Sequence, residues 1–200
     1  ELPPLRLPWD LRLTPEQFER VCQANPEAVL ELAADGALIA MTPTGGETGA
    51  RSLRLGQRLL AWADGQGAGA WIAFDSSTGF RLADGSVLSP DLSLLRRERW
   101  QALSPEQRRS FPPLCPELVV EIASPSDQGP RGVTALRRKM AHYQANGARL
   151  GWLLLPAERA VETWRGGEQG MAERLENAGR LEGTDLAEGL LLDLEEIWVV

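Results

Sequence analysis

Lysine is nearly missing from these 200 residues: of 21 basic side chains one is a lysine, Lys139, and the other 20 are arginines. Bulk positive charge is met by guanidinium groups, and the lone ammonium reads either as chance or as a place where a compact, titratable cation is wanted and a planar fork is not. Histidine is as scarce, with His142 alone, and the two cysteines, Cys22 and Cys115, lie far apart in the chain. That excludes a disulfide framework and a zinc site of His and Cys ligands, and leaves both thiols as buried apolar side chains of a cytoplasmic protein. No apolar run reaches the ~18 residues of a bilayer-spanning helix, and no secretory leader is visible, so no membrane partner is expected.

A net charge of −7 is low for a simple nucleic-acid binder. The distribution of that charge matters more than its sum. Residues 158–200 carry 11 acids against 4 bases, which accounts for all of the −7, so residues 1–157 are neutral as a body. Local basic clusters stand in that body: Arg96, Arg97 and Arg99, followed by Arg108 and Arg109, and then Arg131, Arg137, Arg138 and Lys139. Each reads as a solvated helix face or as a contact for a phosphate backbone.

The chain length fits one domain over 1–200, burying about 70% of its unfolded surface. Within it, 1–42 reads as a helix and a hairpin, 43–157 as a core, and 158–200 as acidic strands with a final turn near 194–198. Thr14-Pro15-Glu16-Gln17 is a capping start with Pro at the first helical position, predicting helix over 15–24. Residues 28–41 read as two strands around Asp35-Gly36. Leu53, Leu55, Leu59, Leu60 and Trp62 among polar residues predict an amphipathic helix over 47–63. Strands follow at 70–75, 78–83 and 86–95, then helix from 96 to 109 in two pieces broken at Ser104-Pro105. Residues 117–123 are almost wholly apolar, as in a strand covered on both faces. A helix over 133–146, closed by Asn146-Gly147, and strands at 149–155 and 159–165 complete an α/β order around a mixed sheet.

Glu121 interrupts that apolar strand. A carboxylate there loses its water, at a cost of several kcal/mol unless a cation or donors replace it. Asp91, after Pro90, opens a second apolar run. Alone it reads as a turn residue, but two carboxylates on neighbouring strands make a hard-oxygen site suited to Mg2+ or Mn2+. On the 133–146 helix Leu136, Lys139, Met140 and Tyr143 share one stripe with Val133, so Lys139 points inward and needs an anion. His142 falls off that stripe and reads as a surface residue. Glu47 opens the 47–63 helix, where an acid is favourable by the helix dipole or serves as a fourth member of the site. The same helix carries Arg51, Arg54 and Arg58.

These features together resemble the Uma-type family of uncharacterised restriction-endonuclease-like proteins, within the PD-(D/E)XK nuclease superfamily. The resemblance rests on Leu-Thr-Pro-Glu-Gln-Phe at 13–18, Met-Thr-Pro-Thr-Gly-Gly-Glu at 41–47 and Phe-Asp-Ser-Ser-Thr-Gly-Phe at 74–80. It continues with Ser-Pro-Asp at 89–91, Pro-Glu-Leu-Val-Val-Glu-Ile-Ala-Ser-Pro-Ser-Asp at 116–127, and Lys139-Met140 with Tyr143. Asn-Gly-Ala-Arg-Leu-Gly-Trp at 146–152 ends the set, which spans about residues 11 to 198. It implies a restriction-endonuclease-like core, a central mixed sheet flanked by helices with added β-hairpins, often as a homodimer. It also implies roles: Asp91 for the acid after proline, Glu121 for the second acid, Glu47 for the acid of the early helix. The superfamily's usual lysine lies two residues after the second acid, where this chain has Ala123; the resemblance takes the lysine from the next helix, as Lys139. The loop at 128–132 is a few residues longer than the pattern.

The reading is a metal-dependent endonuclease hydrolysing nucleic acid, DNA in the first place. Asp91, Glu121 and the Ile122 carbonyl would hold Mg2+ (or Mn2+), while Lys139 and Glu47 complete the catalytic set. Arg51, Arg54 and Arg96 are candidate phosphate contacts. The alternative is a nuclease fold without catalysis that serves in binding or structure. A metal-free hydrolase built on paired carboxylates is the weaker rival, since few aromatics lie near those acids.

Overall fold

The centre of the protein, a computed structural model whose described residues are 8, 10–125, 130–166 and 172–200, is a six-stranded mixed sheet. Its strands, with the order β10-β9-β8-β7-β6-β3, are β3 (Trp71–Asp75), β6 (Leu92–Arg96), β7 (Leu118–Ile122), β8 (Leu150–Leu155), β9 (Ala160–Arg165) and β10 (Ala172–Glu176). Only β7 and β8 run parallel; the other neighbours in this sheet are antiparallel. A parallel pair needs a crossover, and α5 (Pro130–Ala145) supplies it. All five residues of β7 and all six of β8 are buried, as strands covered on both faces must be.

One face of the sheet is covered by α2 (Gly46–Asp64) and the C-terminal segment. Leu55, Leu59 and Trp62 meet Leu94, Val120 and Trp152 there, and Ile197 and Trp198 of α6 (Glu195–Trp198) join the same core. The other face meets α5, whose Met140 and Tyr143 pack on Val119, Leu153 and Trp164. Helix and strand approach closely where β8 carries Gly151, since a Cβ at that position would overlap the Met140 methyl. The end of α5 is a tight reversal through Gly147 at φ +105°, a conformation that suits glycine.

A second, four-stranded antiparallel sheet has the order β2-β1-β5-β4. It comprises β1 (Leu30–Leu32), β2 (Leu38–Ala40), β4 (Phe80–Arg81) and β5 (Val87–Leu88), with α1 (Pro15–Ala24) packed on it through Phe18. The capping box predicted at Thr14 is present, with Gln17 reciprocating, and a second one forms at Ser104 with Gln107. Those two starts give α1 and α4 (Pro105–Arg109), the latter preceded by α3 (Arg97–Ala102). The acidic tail forms the pair β11 (Arg180–Glu182) and β12 (Leu191–Asp193). The fold is that of the expected class, a mixed sheet flanked by helices with additional antiparallel sheets.

Three boundaries depart from expectation. The strand expected over 86–95 breaks at Ser89–Pro90–Asp91, because proline has no N–H to give a ladder, and its halves belong to different sheets. The strand expected over 78–83 shortens to Phe80–Arg81. Helix α5 begins at Pro130, so 130–132 are its first turn, proline being tolerated there. The rest of the loop expected at 128–132, with Ser126 and Asp127 of the matching stretch, lies outside the described residues.

Candidate functional site

The break at Pro90 places the first acid. Leu92 pairs with Val120 in the antiparallel β6–β7 ladder, so the residue before Leu92 comes level with Glu121. Asp91 is anchored there by its carboxylate, whose Oδ2 accepts the Ile122 N–H at 2.7 Å. Glu121 projects from β7 on the α5 face, as the alternation with Val119 requires. Its Oε1 takes the Lys139 ammonium at 2.9 Å and the Tyr143 hydroxyl at 3.3 Å. Asp91, Glu121, Ile122 and Lys139 all line one cleft of about 600 Å3 between the two sheets. A second cavity, of about 800 Å3 between α2 and β3, shares Thr44 and Asp91 with the first, so Asp91 stands where the two meet.

A residue that the sequence reading missed completes the cluster. Glu31 of β1 is 3% exposed, and its Oε1 lies 2.9 Å from Lys139 Nζ while accepting the Ser89 N–H at 2.7 Å. Lys139 also donates to the Ser89 carbonyl at 3.1 Å. The signal that marked Glu121 was available for Glu31, since Ala-Val-Leu-Glu-Leu-Ala-Ala at 28–34 is an apolar run with one acid inside it.

The electrostatics follow from burial and from the charges placed around Glu121. Burial pushes the Glu121 carboxyl up to about 8; Lys139 pulls it back, and the charges of Asp91 and Glu31 push the same way as burial. For Lys139 burial works against the charged form, but Glu121 and Glu31 outweigh it and hold the ammonium above its ordinary value. Burial also raises the Tyr143 hydroxyl, with Glu121 next, so it stays a donor.

Among the described residues no group of three or more His, Cys, Asp or Glu side chains forms a ligand set by itself. The expected set does not require one: it has two carboxylates and a main-chain carbonyl, with water for the remainder. Glu31 and Glu121 share the Lys139 ammonium, and Asp91 adds a further carboxylate close enough to act on Glu121. In donor type the residues fit Mg2+ or Mn2+.

Other candidates are placed elsewhere. Glu47 pairs with Arg51 at 3.1 Å on the surface of α2 and does not line the cleft. Arg51 is buried, with Nε on the Ile197 carbonyl; Arg54 donates to the Glu196 carbonyl; and Arg96 lies over the Trp71 ring at 4.5 Å. His142, expected at the surface, is half-buried in the cleft wall, 2.9 Å from Asp84 and hydrogen-bonded to Ser86. Burial raises Asp84, but hydrogen bonds from Ser86 and Asn146, with the charge of His142, leave it below the usual carboxylate range. Of the two cysteines, Cys115 is buried and Cys22 is half-buried. Among the described residues no helix is long and apolar enough to cross a membrane.

Comparison with known proteins places this geometry in a family. A crystal structure at 1.96 Å of a "putative nuclease belonging to DUF820" from Anabaena variabilis superimposes with a TM-score of 0.71 at 21% identity. The superposition covers 94% of this chain and 98% of that one, which is a likeness of fold. No curated protein matches the chain. The sequence model of the Uma2 family, described as "Putative restriction endonuclease", matches residues 15–196. That match takes in both sheets, the cleft and its acids, and the chain belongs to the Uma2 family of restriction-endonuclease-like proteins.

Proposed function

We propose that the protein is a divalent-metal-dependent endonuclease, with DNA as the first substrate to test, and that the cleft between the two sheets is its active site. The observation that carries the reading is the meeting of Asp91, from the strand break before β6, with Glu121 of β7 and Lys139 of α5 in that one cleft. Asp91, Glu121 and the Ile122 carbonyl would hold Mg2+ or Mn2+. Bound there, the ion supplies charge neutralisation at the phosphate and a lowered pKa for attacking water. The chain's own residues do the rest. The Ile122 N–H fixes one oxygen of Asp91, which orients the carboxylate toward the cleft. Lys139, charged and held by carboxylates, serves as an electrostatic partner for charge that develops on the phosphate, and not as a base. Tyr143 steadies Glu121 from the core side.

Arginine cannot replace that ammonium. A guanidinium presents five donors in a plane, where Lys139 has three acceptors around a point charge. The test is cleavage of plasmid and of labelled single- and double-stranded oligonucleotides with Mn2+ or Mg2+, against a chelator control. Asp91→Ala and Lys139→Arg are expected to lose cleavage. Full activity in Lys139→Arg, or turnover that survives chelation, refutes the assignment.

A second reading, a nuclease fold that binds without cleaving, is favoured by one observation: all three N–H groups of Lys139 already have acceptors inside the protein. Mn2+ calorimetry separates the two. Binding that disappears in Asp91→Ala supports the endonuclease, and a parent protein that takes up no Mn2+ supports the second reading.

A further inference from the structure

We infer that Glu31, outside the central sheet, is the positioning residue of the site: it sets the place of the Lys139 ammonium and of the strand break that carries Asp91. The inference rests on the endonuclease reading and extends it to the N-terminal sheet. Glu31 Oε1 meets two groups at once, Lys139 Nζ at 2.9 Å and the Ser89 N–H at 2.7 Å. Lys139 in turn donates to the carbonyl of that same Ser89 at 3.1 Å. The three residues close a ring, and Ser89 stands two residues before Asp91, at the point where the chain crosses from β5 to β6. One carboxylate therefore ties α5 to the segment that delivers the acid.

Counting donors shows what the ring does. An ammonium has three N–H groups. Two are spent on Glu31 and the Ser89 carbonyl, both within the ring, and the third is on Glu121. Glu121 is the group that turns to a cation in the endonuclease reading. The third N–H is then the one available to a phosphate oxygen, while the other two hold Nζ in place. Without Glu31 the ammonium keeps Glu121 as its carboxylate partner among the described residues and collapses onto it. In this inference Glu31 positions Lys139 and is not counted among the metal ligands.

The lone lysine makes the direct test simple, because lysine-selective 15N labelling of the full chain yields one side-chain ammonium signal. In the wild type, with no metal added, a buried ammonium with three acceptors is expected to give a sharp, slowly exchanging signal. In Glu31→Gln, which keeps an acceptor for the Ser89 N–H but removes the charge, the signal should broaden or vanish. Glu31→Asp, which keeps the charge one methylene short, should give an intermediate signal and serves if the amide variant does not fold. With Mn2+ and DNA, Glu31→Gln is expected to lose about tenfold or more in kcat with little change in KM, as misplaced catalytic groups do. In a Lys139→Met background the same change should cost nothing further, which a purely structural role would not produce. Mn2+ affinity by calorimetry should stay within about threefold, well short of the loss that follows removal of a metal-site partner. An unchanged ammonium signal in Glu31→Gln, additive losses with Lys139→Met, or abolished Mn2+ binding overturns the inference. Wild type inactive on every nucleic acid, with the ammonium signal still dependent on Glu31, overturns the endonuclease reading and leaves the positioning role of Glu31 standing.

Discussion

Replacing Lys139 by methionine should destabilise the metal-free protein strongly, and more so in alkali than in acid. Methionine keeps the apolar stem and removes the charge. The Lys139 side chain is 15% exposed, and those of its partners Glu31 and Glu121 are 4% and 5% exposed. Removing one partner of a buried pair costs about 3–5 kcal/mol, because the other charge is left without compensation. For a chain of this length each kcal/mol lowers the melting temperature by ~2–4 °C, so the fall should be on the order of 10 °C. The protein can escape part of that cost by taking up a proton. Burial already pushes Glu121 up to about 8, and the loss of Lys139 removes the charge and the hydrogen bond that pull it down. At pH 5 to 6 the folded variant keeps the carboxyl neutral, and the deficit shrinks; near pH 9 it is fully expressed. Thermal melts of parent and variant in chelator, across that pH range, measure the difference. A fall of less than ~2 °C at alkaline pH, under the cost of one kcal/mol, or a larger deficit in acid than in alkali, would refute the charge assignment.

Glu121 itself makes a complementary prediction. An unfolded glutamate releases its proton near ~4.3, whereas the folded carboxyl holds it until about 8. Between those values the folded state carries the extra proton, so stability must fall as pH rises through the window. Lys139 remains charged throughout and adds no slope there. Melting of the metal-free parent should decline from pH 5 to pH 8 relative to Glu121→Gln, and parallel curves would contradict the burial argument. Arg51→Ala should cost about 1–3 kcal/mol by stranding the Ile197 carbonyl, and denaturant melts should show that loss while the salt dependence of DNA binding stays unchanged. Gly151→Ala drives a methyl into Met140 and should cost about 1–3 kcal/mol by overpacking; a melt in which Met140→Ala fails to relieve it would place the clash elsewhere. Fluorescence anisotropy of a labelled oligonucleotide should rise little in chelator and more with Mn2+, because a bound dication would offset the cleft carboxylates Asp91 and Glu121 beside a phosphate; equal binding in both conditions would argue against a metal-assisted contact.

Most of the architecture was legible because the local signals agreed with one another. The capping boxes at Thr14 and Ser104 each carry proline at the first helical position and glutamine at the reciprocal position, and both helices start there. Glu121 and Lys139 stood out because each was the wrong residue type for its surroundings, an acid in an apolar strand and a lysine in an arginine-rich chain. The break at Pro90 was less legible, since Val87-Leu88 and Leu92-Ser93-Leu94-Leu95 read as one apolar stretch. Only the second sheet, a nonlocal pairing of β5 with β1, separates them. Glu31 was passed over for a related reason. In a hairpin, an acid between two leucines reads as the solvent-facing step of an ordinary alternation. Its burial arises from α5 and the Ser89 segment, which lie 50 or more residues away in the chain.

Among the described residues arginine and lysine divide the buried acids between them, and the division supports the proposed site. Glu117 is buried and meets Arg99 at 2.6 Å. Glu162 is buried and meets Arg137 and Arg174. Each guanidinium comes in from the periphery, with 30–43% of its side chain exposed, so donors not used on the carboxylate can reach water. That arrangement suits a structural pair, which needs its charge satisfied and nothing more. At Glu31 and Glu121 the partner is an ammonium enclosed by protein, with three acceptors for three N–H groups. A guanidinium enclosed in the same space would bring five donors to three acceptors and leave two buried without partners, at about 1–3 kcal/mol each. Its planar head would also fill the volume beside Glu121 where the cleft opens. The composition bias toward arginine is therefore suspended at the one position where the cation must be both enclosed and small, and that position borders the cleft shared by Asp91 and Glu121.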